Sequence, residues 1–209
     1  MRMLTLSLIC TAIAAVTNWS TRLWPNRTLE TISKPVTTLL VIWVAIAADG
    51  PKTATVLAVV GLVFCLIGDI ALLEVVDKFI IGLASFLIGH LVFVAMFVNM
   101  HLHRPVWGVV AAVLLVVHGA LIGRKILSGA ATNKPELKAP VMAYLLIISS
   151  MAVVAAMTGS WWAIAGAVAF VISDTLLGWR EFVAHKRWLP IAVMVTYHAA
   201  LVGLALGLH

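Results

Sequence analysis

Charge is what this chain has least of. Lys, Arg, Asp and Glu make up only 11% of its 209 residues, where a soluble domain carries about a quarter. That scarcity excludes an ordinary solvated surface. Cysteine is nearly absent: Cys10 and Cys65 both fall in apolar runs and show no metal-ligand spacing, so they read as small buried hydrophobes. Tyrosine occurs twice, as Tyr144 and Tyr197. Soluble-enzyme signatures are missing as well, with no Gly-x-Ser-x-Gly elbow, no Walker loop and no His-Glu-x-x-His.

What is abundant is hydrocarbon. Hydrophobic residues are 63% of the chain, and they gather into eight runs: Leu4–Trp19, Pro35–Ala48, Thr53–Leu73, Phe79–Met100, Pro105–Ile122, Pro140–Met157, Trp161–Trp179 and Leu189–Leu208. A membrane-spanning helix needs about 20 mostly apolar residues. The expected fold is therefore all-α: a polytopic membrane protein with eight transmembrane helices in one domain over residues 1–209. The second run is short and needs its flanks to cross. The first imitates a signal peptide but is read as a retained helix. Pro35 and Pro140 are expected in first turns, where the missing N–H costs nothing. Trp19, Trp24, Trp107, Trp161, Trp162, Trp179 and Trp188 sit at run ends, as an interfacial belt requires. The pairs Gly119/Gly123 and Gly203/Gly207 suit close helix contact.

The net charge of +6 does not mean nucleic acid. Eleven of the fourteen Lys and Arg lie in the links after the first, third, fifth and seventh runs. The positive-inside rule puts those links in the cytosol and both termini outside, as expected of a multi-pass plasma-membrane protein.

Two acids interrupt the hydrocarbon. Asp69 and Asp174 each follow a proline by 34 residues (Pro35, Pro140), and each is followed by a histidine in the next run, His90 after 21 residues and His198 after 24. Gly68-Asp69-Ile70-Ala71-Leu72-Leu73 parallels Ser173-Asp174-Thr175-Leu176-Leu177. The match predicts a 4+4 parallel internal repeat with halves 1–104 and 105–209. At 1.5 Å per residue, Asp69 lies roughly 24 Å and Asp174 roughly 20 Å along runs of the same direction. Both fall in the cytosolic half, at similar depth, and would face each other across the repeat axis. A centrally placed Asp costs about 2.5–3.5 kcal/mol on insertion scales, so the default reading is function.

Two carboxyls sharing a poorly solvated place cannot both ionise easily, which leaves a protonated acid beside an ionised base. That pair suits acid–base chemistry on an ether-like or acetal-like substrate, and equally a proton relay in a transporter. His90 and His198 fit either the site or a simple hydrogen bond between helices. Tyr144 and Tyr197 are placed to donate hydrogen bonds to the acids or to substrate. Lys34 either snorkels to the interface or offers a cation to a lipid phosphate. His118 reads as packing, while His101, His103, His185 and His209 read as solvated. Glu74 and Asp77 are turn residues. No metal or cofactor is expected.

Several short patterns occur in order: Lys34-Pro35-Val36-Thr37-Thr38, Gly68-Asp69-Ile70-Ala71-Leu72, Phe79-x-x-Gly82-x-x-x-Phe86-x-x-x-His90, Pro140-Val141-x-x-Tyr144, Gly166-x-x-x-Phe170-x-x-Ser173-Asp174 and Tyr197. Together they resemble the lysoplasmalogenase (YhhN-like) family of membrane proteins over nearly the whole chain. The resemblance implies hydrolysis of the vinyl-ether bond of a lysoplasmalogen, giving a fatty aldehyde and glycerophosphocholine or glycerophosphoethanolamine. It implies Asp69 and Asp174 as catalytic residues, with Lys34, His90, Tyr144, Ser173, Tyr197 and His198 binding or orienting a lysophospholipid that arrives sideways from the membrane lipids. The family commonly has Gln where this sequence has Leu201, a departure that would bear on specificity if that position touches substrate.

Overall fold

The computed structural model describes residues 2–208, and His209 lies outside the described residues. The helices are α1 (Arg2–Leu23), α2 (Arg27–Ala47), α3 (Lys52–Ala71), α4 (Phe79–Asn99), α5 (Pro105–His118), α6 (Arg124–Asn133), α7 (Lys138–Thr158), α8 (Trp161–Phe182) and α9 (Leu189–Leu206). A five-residue π turn, Gly119–Gly123, joins α5 to α6, so these form one span over Pro105–Asn133. Among the described residues eight helices are then long and apolar enough to cross a membrane. The protein is an all-α, multi-pass membrane protein.

Three local expectations need correcting. Pro35 does not open α2. Asn26 caps that helix, its side chain accepting from Leu29 N at 3.0 Å, and Arg22 pairs with Glu30 at 2.7 Å across the preceding turn. The polar stretch before Pro35 is thus helical, which gives the second span its missing length and leaves Pro35 in the helix interior. Membrane helices tolerate an interior proline because neighbouring groups take up the freed carbonyl. The fifth span does not stop at Ile122 either; Arg124 and Lys125 continue it, with Lys125 Nζ 5.8 Å from the Trp179 ring centre. Trp19 is not part of an interfacial belt, since its indole is partly buried against His198. Pro140 does sit in the first turn of α7 as expected.

The inward face of α1 is small and polar (Ser7, Thr11, Ala15, Asn18, Thr21), and three of its hydroxyls donate to carbonyls of the same helix. Such back-bonding satisfies a hydroxyl in a place water cannot reach. The main core is built from side chains such as Val41, Leu62, Phe93, Met151, Phe170 and Leu204. Helices α8 and α9 touch backbone to backbone: a Cβ on Gly203 would lie 2.6 Å from Gly166 Cα. The other glycine pair does not bring helices together, because a Cβ on Gly119 would meet nothing within 4 Å. Gly203→Ala is therefore expected to destabilise the protein by about 1–3 kcal/mol, the cost of overpacking. Gly119→Ala should be neutral or stabilising by up to about 1 kcal/mol, from helix propensity. Thermal unfolding in detergent separates the two, and equal shifts would contradict the packing.

Candidate active site

Asp69 is set by the close contact of α3 with α4. Gly68 lies against the Phe86 ring, where a Cβ would come within 2.6 Å, and the next side chain points into the bundle. Asp69 is fully buried. Its Oδ2 accepts from Thr38 Oγ1 at 2.5 Å and from the Tyr197 hydroxyl at 2.8 Å, and Lys34 Nζ stands 3.6 Å from Oδ1. Lys34 is accordingly no snorkelling residue: its side chain is 8% exposed and ends inside the bundle. Two hydroxyl donors and an ammonium form the surroundings of an ionised carboxylate.

Asp174 on α8 is held differently. The Tyr144 hydroxyl donates to its Oδ2 at 2.5 Å, and His90 Nε2 lies 3.8 Å from the same oxygen. His90 Nδ1 is 2.6 Å from Phe86 O. A carbonyl only accepts, so Nδ1 carries the proton and the neutral ring turns a bare Nε2 lone pair towards Asp174. That nitrogen is buried without a hydrogen-bond partner. Lone pair facing lone pair calls for a proton on one side or the other.

The two arrangements are crosswise. Asp69 takes Thr38 from α2 and Tyr197 from α9, while Asp174 takes Tyr144 from α7 and His90 from α4. The Phe170 ring lies between them, 4.4 Å from the His90 ring and 5.6 Å from that of Tyr197.

Both acids line one cavity of about 400 Å³, together with Lys34, Phe86, Ser173 and Tyr197. Its rim carries two ion pairs, Arg22–Glu30 and Arg180–Glu181, the latter at 2.8 Å. The cavity thus opens at the end of the bundle that holds the basic links. An apolar slot of about 40 Å³ adjoins it, lined by Leu72, Leu83, Ile126, Val141, Leu145 and Phe182 among others. Asp174 lines both spaces. A polar chamber and a hydrocarbon slot that meet at the buried Asp174, with Glu181 also on their shared wall, can hold an amphiphile with its head–tail junction at Asp174.

Most of the residues singled out in the sequence converge here. Lys34, Asp69, Ser173, Asp174 and Tyr197 line the cavity, and His90 and Tyr144 reach it through Asp174. Ser173 Oγ donates to Val193 O at 3.1 Å, fixing α8 to α9. His198 is the exception: its Nδ1 accepts from Trp19 Nε1 at 3.0 Å, so it faces α1 and is not among the cavity's lining residues. Leu201 is fully buried in the main core and does not line the cavity either. Thr38, Phe170 and the two rim arginines are not singled out as site residues by the sequence. Thr38 had a signal, lying four residues after Lys34 and so on the same helical face. Among the described residues no three His, Cys, Asp or Glu side chains are grouped to hold a metal ion.

Comparison with known proteins bears on the same stretch. Two curated relatives named lysoplasmalogenase, from Mycobacterium bovis (strain ATCC BAA-935 / AF2122/97) and Mycobacterium tuberculosis (strain CDC 1551 / Oshkosh), are each 30% identical over 125 residues. The aligned region is 58% of this chain and 48% of theirs, so the chain spans about half the length of the curated relatives it matches. No solved structure matches. The model of the YhhN family matches residues 29–208, which takes in Asp69, Asp174, both tyrosines, His90 and His198. With both buried aspartates and their hydrogen-bonding partners inside a match that covers most of its length, the chain belongs to the YhhN family.

Proposed function

We propose that the protein is a lysoplasmalogenase-like ether hydrolase that opens the vinyl-ether bond of a lysoplasmalogen. One observation carries the reading: two differently held carboxyls share a cavity, and one of them, Asp174, lies where the polar chamber meets the apolar slot. The name shared by the two relatives supports the substrate class.

In this reading Asp174 is the general acid and passes its proton to the alkene carbon of the vinyl ether. The resulting oxocarbenium ion is stabilised by the Asp69 carboxylate, which Lys34, Thr38 and Tyr197 hold in place. Asp69 then draws a proton from the attacking water. As the hemiacetal collapses, Asp69 passes that proton to the departing glycerol oxygen while the hemiacetal hydroxyl returns one to Asp174. This leaves a fatty aldehyde, a glycerophospho-alcohol and both acids in their starting states. His90 and Tyr144 orient Asp174. The rim pairs offer arginine to the phosphate and glutamate to a choline or ethanolamine cation, with Lys34 as the cation nearest the acids. His198 is left out of the chemistry.

The crosswise partners of the two acids support an internal duplication with halves 1–104 and 105–209 in a single domain: each Asp draws one partner from the second helix of its own half and one from the last helix of the other. The basic links around the cavity mouth support a plasma-membrane orientation with the site in the cytosolic half and both termini outside. A proton-coupled transporter is the second reading, favoured by symmetry-related acids in membrane spans. The test is product analysis by mass spectrometry after offering the purified protein lysolipids with vinyl-ether, ether and ester linkages. Aldehyde from the vinyl ether alone is expected. Proton-dependent uptake into proteoliposomes without any product would contradict the hydrolase and favour the transporter.

A further inference from the structure

The span made by α5, the π turn and α6 is held at its ends and stands clear in its middle. Near one end a Cβ on Gly108 would sit 2.4 Å from Met157 Cγ, and near the other a Cβ on Gly129 would sit 2.1 Å from Phe182 O. Between them, at the π turn, a Cβ on Gly119 would meet nothing within 4 Å, and one on Gly123 would meet Leu145 Cδ1 at 3.8 Å. Single π turns inside α-helices are frequent at functional sites. Here the turn coincides with the clearance.

The clearance is a groove of about 560 Å³ against α7, walled by Val116, Leu127, Met142, Leu146 and Val153. Along the span it runs from Ala112 to Leu127, roughly 22 Å at 1.5 Å per residue, the reach of a long hydrocarbon chain. No charged side chain lines it, and the hydroxyl of Ser150 is turned back onto Leu146 O at 2.9 Å. A cleft of about 30 Å³ continues inwards, sharing Gly119, Gly123, Leu145 and Ser149 with the groove and ending on Asp174 and Thr175. Thr175 Oγ1 donates to Val171 O, so His118 Nε2 is the donor in its 3.1 Å bond to Thr175. That bond ties the start of the π turn to the residue next to Asp174. Leu145 lines the groove, the cleft and the apolar slot alike.

We infer that this gap is a lateral port through which the hydrocarbon chain of a single-chain lipid passes between the bilayer and Asp174, with the Leu145 side chain as its gate. The occupant is a lipid chain because the groove is hydrocarbon-walled, faces the membrane and is continuous with the carboxyl at the head–tail junction. The inference rests on the reading of Asp174 as the acid of a lipid hydrolase. It adds the side from which the chain arrives and the aldehyde leaves.

The test uses the full chain in lipid nanodiscs. A lysolipid with a photoreactive diazirine at its chain end is offered to Asp174→Asn protein, so that labelling is read without turnover. Labels are expected on Val116, Leu146 or Val153. Gly119 and Gly123 both have ordinary right-handed helical backbone, so leucine fits there and fills the port. Gly119→Leu and Gly123→Leu, placed in the Asp174→Asn background, should cut that labelling about tenfold. In otherwise wild-type protein they should lower kcat/KM for a long-chain bilayer substrate by a similar factor, with a short-chain, water-dispersed substrate changed by less than about twofold. Labels confined to the rim near Arg22, or undiminished by the leucines, would overturn the port. Labelling in the groove while wild-type protein releases no aldehyde would uphold the port and sink the hydrolase.

Discussion

Asp174→Asn is expected to lower aldehyde release from a lysoplasmalogen by about 10²–10⁴-fold, the range for losing a positioned general acid. The change removes the proton and keeps the shape. Asparagine can still accept from the Tyr144 hydroxyl through its oxygen. Folding should therefore survive, and unfolding temperature in detergent should stay near that of the wild type. Asp69→Asn is expected to lose activity comparably for another reason: the cation formed on the substrate loses its counter-charge, and water its base. Wild-type rates in both variants would end the two-acid mechanism. Loss in Asp174→Asn alone would leave the acid standing and remove the base.

Lys34→Met should damage stability more than Asp174→Asn does. Lys34 Nζ is the cation beside a fully buried Asp69, 3.6 Å from its Oδ1, an oxygen without a hydrogen-bond partner. Removing one partner of a buried ion pair costs about 3–5 kcal/mol, because the other charge stays behind without compensation. The double variant Lys34→Met with Asp69→Asn removes both charges and should regain much of that loss, as coupling energies of about 0.5–3 kcal/mol between neighbouring residues allow. Unfolding measurements on the two single variants and the double test this. Costs that simply add would mean that Lys34 and Asp69 do not act as a pair, and the picture of Asp69 as a held carboxylate would fail with them.

Much of this site is readable from the chain before any coordinates. Two acids in apolar runs, each 34 residues after a proline, lead to the expectation of a common depth, and both line one cavity. Helix rotation is what spacing leaves open. Tyr197 and His198 are neighbours on α9, about 100° apart on a helix of 3.6 residues per turn, so one faces Asp69 while the other faces Trp19. Hydropathy also hides helix that is not greasy. The turns before Pro35 and those after Ile122 are polar, yet they continue their helices, and the first places Lys34 inside the bundle. Arg22 and Arg180 inform orientation when counted along the sequence, and only the folded links bring them over the cavity mouth. The π turn has no marker in composition beyond two glycines, which equally suit close packing.

The most direct measurement is hydrolysis in D2O, with the aldehyde trapped at once by reduction and examined by mass spectrometry. Wild-type protein should give product with one deuterium on the carbon next to the former carbonyl, where an acid such as Asp174 delivers the proton, and Asp174→Asn should give almost none of that product. Aldehyde without deuterium at that carbon, or labelled product formed by Asp174→Asn at the wild-type rate, would contradict the role assigned to the acid at the head–tail junction.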